Sequence, residues 1–181
     1  MLPKVSVIIP TLNSWGTLKS CIASIYKQTY KPAEIIVVDN ASSDGTSENV
    51  RREFPKVKLI TLERNTGVTG GRNSGIDNAN KDSRYLLFFD HDMVAYRNML
   101  KNLLNILEKD FSYGIVTPKI FYWKDKKKVW AAGTNINLWT GRILFRGGRD
   151  KGQFEKVEEV QVAPAAMLVK RKVIELSLIH I

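Results

Sequence analysis

Residues 85–94, YLLFFDHDMV, run five apolar and aromatic positions straight into Asp90-His91-Asp92 and then back into apolar sequence. A run of that length and composition reads as a buried strand. Ending it on two carboxylates one residue apart requires a reason. Taken alone the tripeptide fits a metal site, a covalent phosphatase centre or a solvated turn.

The same arrangement recurs upstream. VSVII (5–9) is a short β-branched run stopped by Pro10 and followed by Thr11-Leu12-Asn13, and IIVV (35–38) ends on Asp39-Asn40. Between them Leu18, Cys21, Ile22 and Ile25 fall at i, i+3, i+4 and i+7, which predicts an amphipathic helix from near Asn13 or Ser14. Helices are predicted over 44–54 and 70–80, a third strand over 57–62 and a fourth over 85–89; Leu100, Leu103, Leu104 and Leu107 repeat the helical spacing. Strand alternating with helix four times predicts a layered α/β fold with a mostly parallel central sheet. In such sheets ligands sit beyond the carboxyl ends of the strands. That rule marks residues 10–13, 39–44, 65–73 and 90–92. After Pro118 the pattern breaks into short pieces with turns at Gly133, Gly141, Gly147 and Gly148, predicted as antiparallel strands and loops.

The chain has 181 residues, 44% hydrophobic and 25% charged, as one globular domain would. That length buries a core without disulfides, and the single Cys21 forms none internally, which fits a reducing cytoplasm. No apolar run approaches a membrane span, and MLPKVSVIIP lacks a signal peptide's architecture. The net charge of +10 favours polyanions: nucleic acid, anionic lipid or phosphorylated substrates. Ten Lys/Arg lie between Lys119 and Lys156 against Asp125, Asp150 and Glu155, interleaved with Trp123, Trp130 and Trp139. A solvated face over core aromatics is the plainer reading of that stretch; a polyanion-binding or membrane-surface patch is the sharper one.

Strand alternation would put Asp90 and Asp92 on one side and His91 on the other. Two neighbouring carboxylates repel unless a cation lies between them, and a hard divalent ion holding a diphosphate answers that. His91 reads as a packing or orienting residue. Asp39, at a strand end, can accept from a nucleobase or a ribose hydroxyl, or simply end the strand; Asp44 reads as the cap of the next helix. NTGVTGGRNSG (65–75) sets four glycines and Arg72 at a helix start, where amides and a guanidinium can hold an anion. It is neither a G-x-G-x-x-G fingerprint nor a Walker loop.

Together VSVIIPTLN, IIVVDNASSDGT, NTGVTGGRNSGI and LLFFDHDM resemble the family 2 glycosyltransferases with a GT-A fold, in particular the rhamnosyltransferase-like branch. The match runs over about residues 4–120, and VAPAAMLVKRKVIE (162–175) resembles a later family segment. The resemblance implies inverting sugar transfer from a nucleotide-diphospho-sugar donor to a saccharide or lipid-linked acceptor. It implies cell-wall or polysaccharide synthesis, no nucleic-acid partner, and a cytoplasmic protein that touches the inner membrane face peripherally. Pro10, Thr11, Asn13, Asp39, Asn40, Gly70, Arg72, Asp90, His91 and Asp92 would bind the nucleotide sugar, with Asp39 at the base and Asp90 near the ribose. Asp92, with Asp90, would hold Mg2+ or Mn2+. One domain over 1–175 follows, a nucleotide-sugar half (1–118) and the start of an acceptor half (119–175).

The family's base, in a Glu-Asp motif further on, has no counterpart here, so the expectation for residues 1–181 is weak nucleotide binding and poor turnover. LSLIHI (176–181) matches one reading frame of a transposase adapter, CTG TCT CTT ATA CAC ATC, and is read as a non-native tail on an environmental-sequence fragment; His180 is not read as a metal ligand. Asp90-x-Asp92 also fits a haloacid-dehalogenase phosphatase, with Asp90 as nucleophile and Asp92 as acid/base. That pattern belongs on a first strand, and here it follows the fourth. A non-enzymatic polyanion-binding module is the remaining alternative.

Overall fold

The computed structural model describes residues 2–176; the proposed tail lies outside the described residues except Leu176, and His180 lies outside them too. In chain order the elements are β1 (Val5–Thr11), α1 (Trp15–Tyr26), β2 (Glu34–Asp39), α2 (Thr46–Glu53), β3 (Lys58–Thr61), α3 (Gly67–Asn78), β4 (Tyr85–Phe89) and α4 (Met99–Lys109). Short strands follow: β5 (Ile115–Val116), β6 (Ile120–Phe121), β7 (Lys128–Ala131), β8 (Thr134–Ile136), β9 (Ile143–Phe145), β10 (Gly148–Arg149), then β11 (Ala166–Lys170) and α5 (Arg171–Leu176).

The main sheet has the order β3-β2-β1-β4-β11-β5. Its first four strands are parallel, while β11 runs antiparallel to both β4 and β5. The predicted α/β layering is therefore present, with an antiparallel edge supplied by a strand from late in the chain. Period-two alternation splits the core. Val5, Val7, Ile9, Val37, Leu87 and Phe89 face α1 and α4, whose Leu18, Cys21, Ile22, Ile25, Leu100, Leu103, Leu104 and Leu107 join the same cluster. Ile8, Ile36, Val38, Leu86 and Phe88 face the other way, against Ile76 of α3 and Val173 and Ile174 of α5. Each fully buried leucine contributes roughly 1.5–3 kcal/mol, so the helices are held by this packing more than by propensity.

Several boundaries differ from expectation, three of them for a clear local reason. β1 runs through Pro10 to Thr11 instead of stopping at Ile9, because its ladder with β4 ends at Ile8 and the proline nitrogen loses no bond on that side. α2 starts at Thr46: the Asp44 carboxylate accepts the Thr46 N–H at 3.0 Å, with Gly45 at φ 79° between them. Asp44 thus caps the helix from one residue further out. α3 starts at Gly67, three residues early, once the Asn65 side chain accepts the Gly67 N–H at 2.8 Å. Beyond Pro118, β10-β7-β6 form a small antiparallel sheet and β8-β9 a hairpin, as the glycine spacing predicts.

Candidate functional site

All four marked loops meet at the carboxyl edge of the parallel strands. Thr11 and Asp39 are register partners, and the Asn40 N–H donates to Thr11 O at 2.9 Å. Asn13, held at φ 47°, joins the first loop to the second: its N–H donates to Ser42 Oγ and its Oδ1 accepts the Ser43 N–H, both at 2.8 Å. Asn40 joins the second loop to α3, its Oδ1 accepting from Thr66 N (3.2 Å) and Thr66 Oγ1 (3.0 Å). Asp39 is fully buried, its carboxylate accepting from Ser42 N at 3.0 Å and from the Ser42 and Ser47 hydroxyls. Here it shapes the loop.

The glycine-rich start of α3 is a matter of clearance. A Cβ on Gly71 would lie 2.8 Å from Asn40 Nδ2 and 3.1 Å from Pro10 Cβ, and one on Gly70 would overlap the Thr66 side chain. Bare backbone lets the helix start press against the ends of β1 and β2. One turn on, Arg72 Nη2 pairs with Asp90 Oδ1 at 2.9 Å, and its guanidinium lies 5.8 Å from the Phe88 ring centroid. Arg72 Nη2 is thus paired with the carboxylate that follows β4, while its Nε has no partner among the described residues. Burial pushes the Asp90 carboxyl above its ordinary value; Arg72 opposes that without cancelling it, and Asp92 adds to it.

Strand alternation does not set the Asp90–Asp92 pair, because β4 ends at Phe89. A turn closed by Met93 N donating to Asp90 O at 3.2 Å turns Asp90 toward Arg72 and leaves Asp92 exposed. Both aspartates line one cavity of about 530 Å³, whereas half-buried His91 is not part of its lining. Behind the turn lies buried Cys21, whose Sγ is 3.6 Å from Asp90 O; burial first, then the Asp92 and Asp90 charges, push its thiol up. It is a packing residue, not a reactive one.

Two donors here are unmet. Thr11 Oγ1 and Arg72 Nε are buried with no hydrogen-bond partner among the described residues. Such orphans are uncommon in folded proteins and leave capacity for a polar ligand. For a divalent ion, no group of three His, Cys, Asp or Glu gathers among the described residues. Two carboxylates in one cavity nonetheless fit Mg2+ or Mn2+, which take one or two protein carboxylates and fill the remaining positions with water and substrate phosphate oxygens. A phosphatase reading needs the motif after a first strand, and its proposed nucleophile Asp90 is tied to Arg72. The far wall includes Phe121, Trp123, Lys126 and Trp130; the sequence marks Trp123, Lys126 and Trp130 as part of a basic, aromatic stretch but not as a wall facing Asp92. Nothing local marks a turn thirty residues on as a neighbour of Asp92.

The chain matches glycosyl transferase family 2 over residues 6–176. It belongs to that family. Among curated relatives it is 36% identical over 115 residues to the UDP-Glc:alpha-D-GlcNAc-diphosphoundecaprenol beta-1,3-glucosyltransferase of Escherichia coli, covering 61% of this chain and 44% of that protein. It is 31% identical over 116 residues to the GalNAc(5)-diNAcBac-PP-undecaprenol beta-1,3-glucosyltransferase of Campylobacter jejuni, covering 62% and 37%. The chain thus spans less than half the length of either relative. Among solved structures it resembles the mannosyltransferase of Pyrobaculum calidifontis in complex with GDP-Man and Mn2+, with a TM-score of 0.66, 23% identity, 96% of this chain and 46% of that one. It also resembles Staphylococcus aureus TarS in complex with UDP-GlcNAc, with a TM-score of 0.58, 29% identity, 65% of this chain and 34% of that one. These likenesses establish the GT-A fold of this family 2 glycosyltransferase chain.

Proposed function

We propose that the chain binds a nucleotide-diphospho-sugar and transfers its sugar, with inversion, to a saccharide or lipid-linked acceptor. The observation that carries this is the hydrogen-bonded run Asn13–Ser42–Asp39 and Asn40–Thr66, ending beside Arg72–Asp90, at the carboxyl edge of a parallel sheet. Thr11, Asn13, Asn40 and Gly70 in the first turn of α3 bound the nucleotide pocket, with the Thr11 hydroxyl and Arg72 Nε available to its polar edges. Asp39 keeps the base-side loop in shape through Ser42 and Ser47, and His91 supports the turn. Asp90 and Asp92 would hold Mg2+ or Mn2+, which offsets charge on a departing diphosphate. In the transfer the acceptor oxygen bonds to the anomeric carbon, the bond to diphosphate breaks, and the acceptor proton passes to a base. No described residue is assigned as that base.

The likeness to TarS with UDP-GlcNAc supports a nucleotide-sugar donor, and the two diphosphoundecaprenol-acting relatives support a lipid-linked acceptor. The same reading places the chain at a membrane's inner face. No described helix is long and apolar enough to cross a membrane. The tip of the β8–β9 hairpin, however, leaves Leu138 82% and Trp139 98% exposed beside Arg142, a pattern suited to the headgroup layer.

Thermal-shift titration with UDP-, GDP- and dTDP-sugars, with and without Mn2+, tests the donor site. One of these is expected to stabilise the chain only with Mn2+, and Asp92→Asn to weaken that response by about tenfold or more. Salt-sensitive polyanion binding that survives Asp92→Asn, with no nucleotide response, would sink the reading.

A further inference from the structure

Residues 90–98, between β4 and α4, carry Asp90, Asp92 and the cavity wall from Met93 to Tyr96, yet form no helix or strand. Backbone turns close at the two ends, Met93 N donating to Asp90 O at 3.2 Å and Met99 N to Tyr96 O at 2.9 Å. Further anchors come from α1 and the residues just past its end. Cys21 Sγ lies 3.6 Å from Asp90 O, and Ser24 Oγ accepts the Ala95 N–H at 3.0 Å. Gln28 Nε2 donates to Tyr96 O at 2.8 Å while its Oε1 accepts the Leu100 N–H at 2.9 Å. Thr29 N extends the series, donating to Arg97 O at 2.9 Å.

Ser24 is 5% exposed and Gln28 1%, so each sits where an unbonded polar group would be costly. Both are satisfied: the Ser24 hydroxyl also donates to Cys21 O at 2.7 Å, and Gln28 Nε2 also donates to Ser24 O at 3.3 Å. The Leu100 N–H belongs to the first turn of α4, whose amides the helix itself cannot satisfy, and Asn98 makes no side-chain cap there. Gln28 therefore caps α4 from outside it. Every partner that Ser24 and Gln28 take in the segment is a backbone atom, so what they fix is the path of the chain. Asp92 stands between the pinned positions Asp90 and Ala95, and neither Ser24 nor Gln28 lines the cavity.

A carboxylate that holds a metal must stay within about 0.5 Å of its working position. An exposed side chain on irregular backbone reaches that precision only where the backbone is held. We propose that Ser24 and Gln28 are positioning residues, which hold the chain between Asp90 and Leu100 and so set where Asp92 meets the metal and diphosphate of the donor. This rests on reading Asp92 as a metal ligand.

Two measurements on the 181-residue chain test it. The first is Mn2+ titration in the presence of UDP, read by the electron paramagnetic resonance signal of the ion, beside UDP titration without metal. Gln28→Leu is expected to weaken Mn2+ binding about tenfold, as loss of a group supporting a metal ligand does. Ser24→Ala should weaken it about threefold, and it carries the test if Gln28→Leu does not fold. Metal-free UDP affinity should stay within about twofold in both, because neither residue touches the nucleotide loops. Ile22→Val trims the apolar side of the same helix and should leave both affinities within about twofold, which separates positioning from lost stability. The second measurement is amide hydrogen exchange. Ala95 in Ser24→Ala and Leu100 in Gln28→Leu should each exchange about tenfold faster, with the amides of β4 unchanged. Wild-type Mn2+ affinity in both variants, an equal loss in Ile22→Val, or unaltered exchange at Ala95 and Leu100 would overturn the inference. A wild-type chain that takes up no Mn2+ even with UDP would instead remove the donor-site reading, and the positioning role with it.

Discussion

Arg72 and Asp90 illustrate how single residues at this edge serve each other before they serve a ligand. Each removes the other's need for water, with side chains only 16% and 32% exposed, and Asp92 is left to face the cavity. A divalent ion arriving there would favour the charged carboxylate, against the burial that raises the Asp90 carboxyl above its ordinary value. On the far side of the same strand, the buried Tyr85 hydroxyl donates to Glu108. Burial first, and the Glu108 bond and charge second, push the Tyr85 phenol from 10 up to about 12. The unfolded chain therefore gives up this proton first as pH rises. The stability Tyr85 contributes is complete below pH 10 and is lost on the way to about pH 12. Urea melts across that range should show the fall, and Tyr85→Phe should flatten it. An identical slope in the variant would remove Tyr85 from the account.

Among the elements, α3 is the one that packing makes. Gly67, Gly70, Gly71 and Gly75 give it poor intrinsic helicity, roughly 1 kcal/mol apiece against alanine in a helix interior. It persists because Gly71 and Gly75 bring its backbone onto β1 and the Asn40 loop. A Cβ on Gly75 would fall 2.3 Å from Ile8 Cγ2 and 3.3 Å from Ile8 Cβ, against a side chain with no exposure and no room to turn. Overpacking of that kind costs about 1–3 kcal/mol, more than the helix propensity gained. Gly75→Ala is therefore expected to lower Tm by several degrees, at roughly 2–4 °C per kcal/mol for a chain of this size. Calorimetry showing a higher Tm would mean that propensity, not clearance, limits α3. Apolar periodicity cannot mark a helix whose buried face is mostly glycine, and α3 accordingly begins three residues before the helix the sequence predicts.

For the whole molecule, charge and exposed apolar surface lie on the same later segment. The positive excess between Lys119 and Lys156 is densest in the β6–β7 turn, with Lys124, Lys126 and Lys127, while the β8–β9 hairpin carries Arg142 and exposes Ile143, Leu144 and Phe145. A surface of that composition suits an anionic bilayer. The chain is expected to sediment with vesicles containing phosphatidylglycerol and less so at high salt. Leu138→Ser with Trp139→Ser should cut that partition several-fold without altering nucleotide binding. Equal partition of wild type and variant would assign the hairpin elsewhere.

The sequence by itself determined the order of strands and helices and the four loops at the strand ends, because burial periodicity and turn residues are local properties. It also carried the family, since the motifs at those loops are read in chain order. Only the tertiary structure decided that β11 returns antiparallel to β4, that Arg72 is paired with Asp90, that Asp39 is sealed by Ser42 and Ser47, and that Trp123 and Lys126 share a cavity with Asp92. Those are pairings between residues from 3 to more than 70 positions apart, settled by which side chains burial brings within hydrogen-bonding or packing distance. A strand end announces a polar residue; its partner is chosen by the fold.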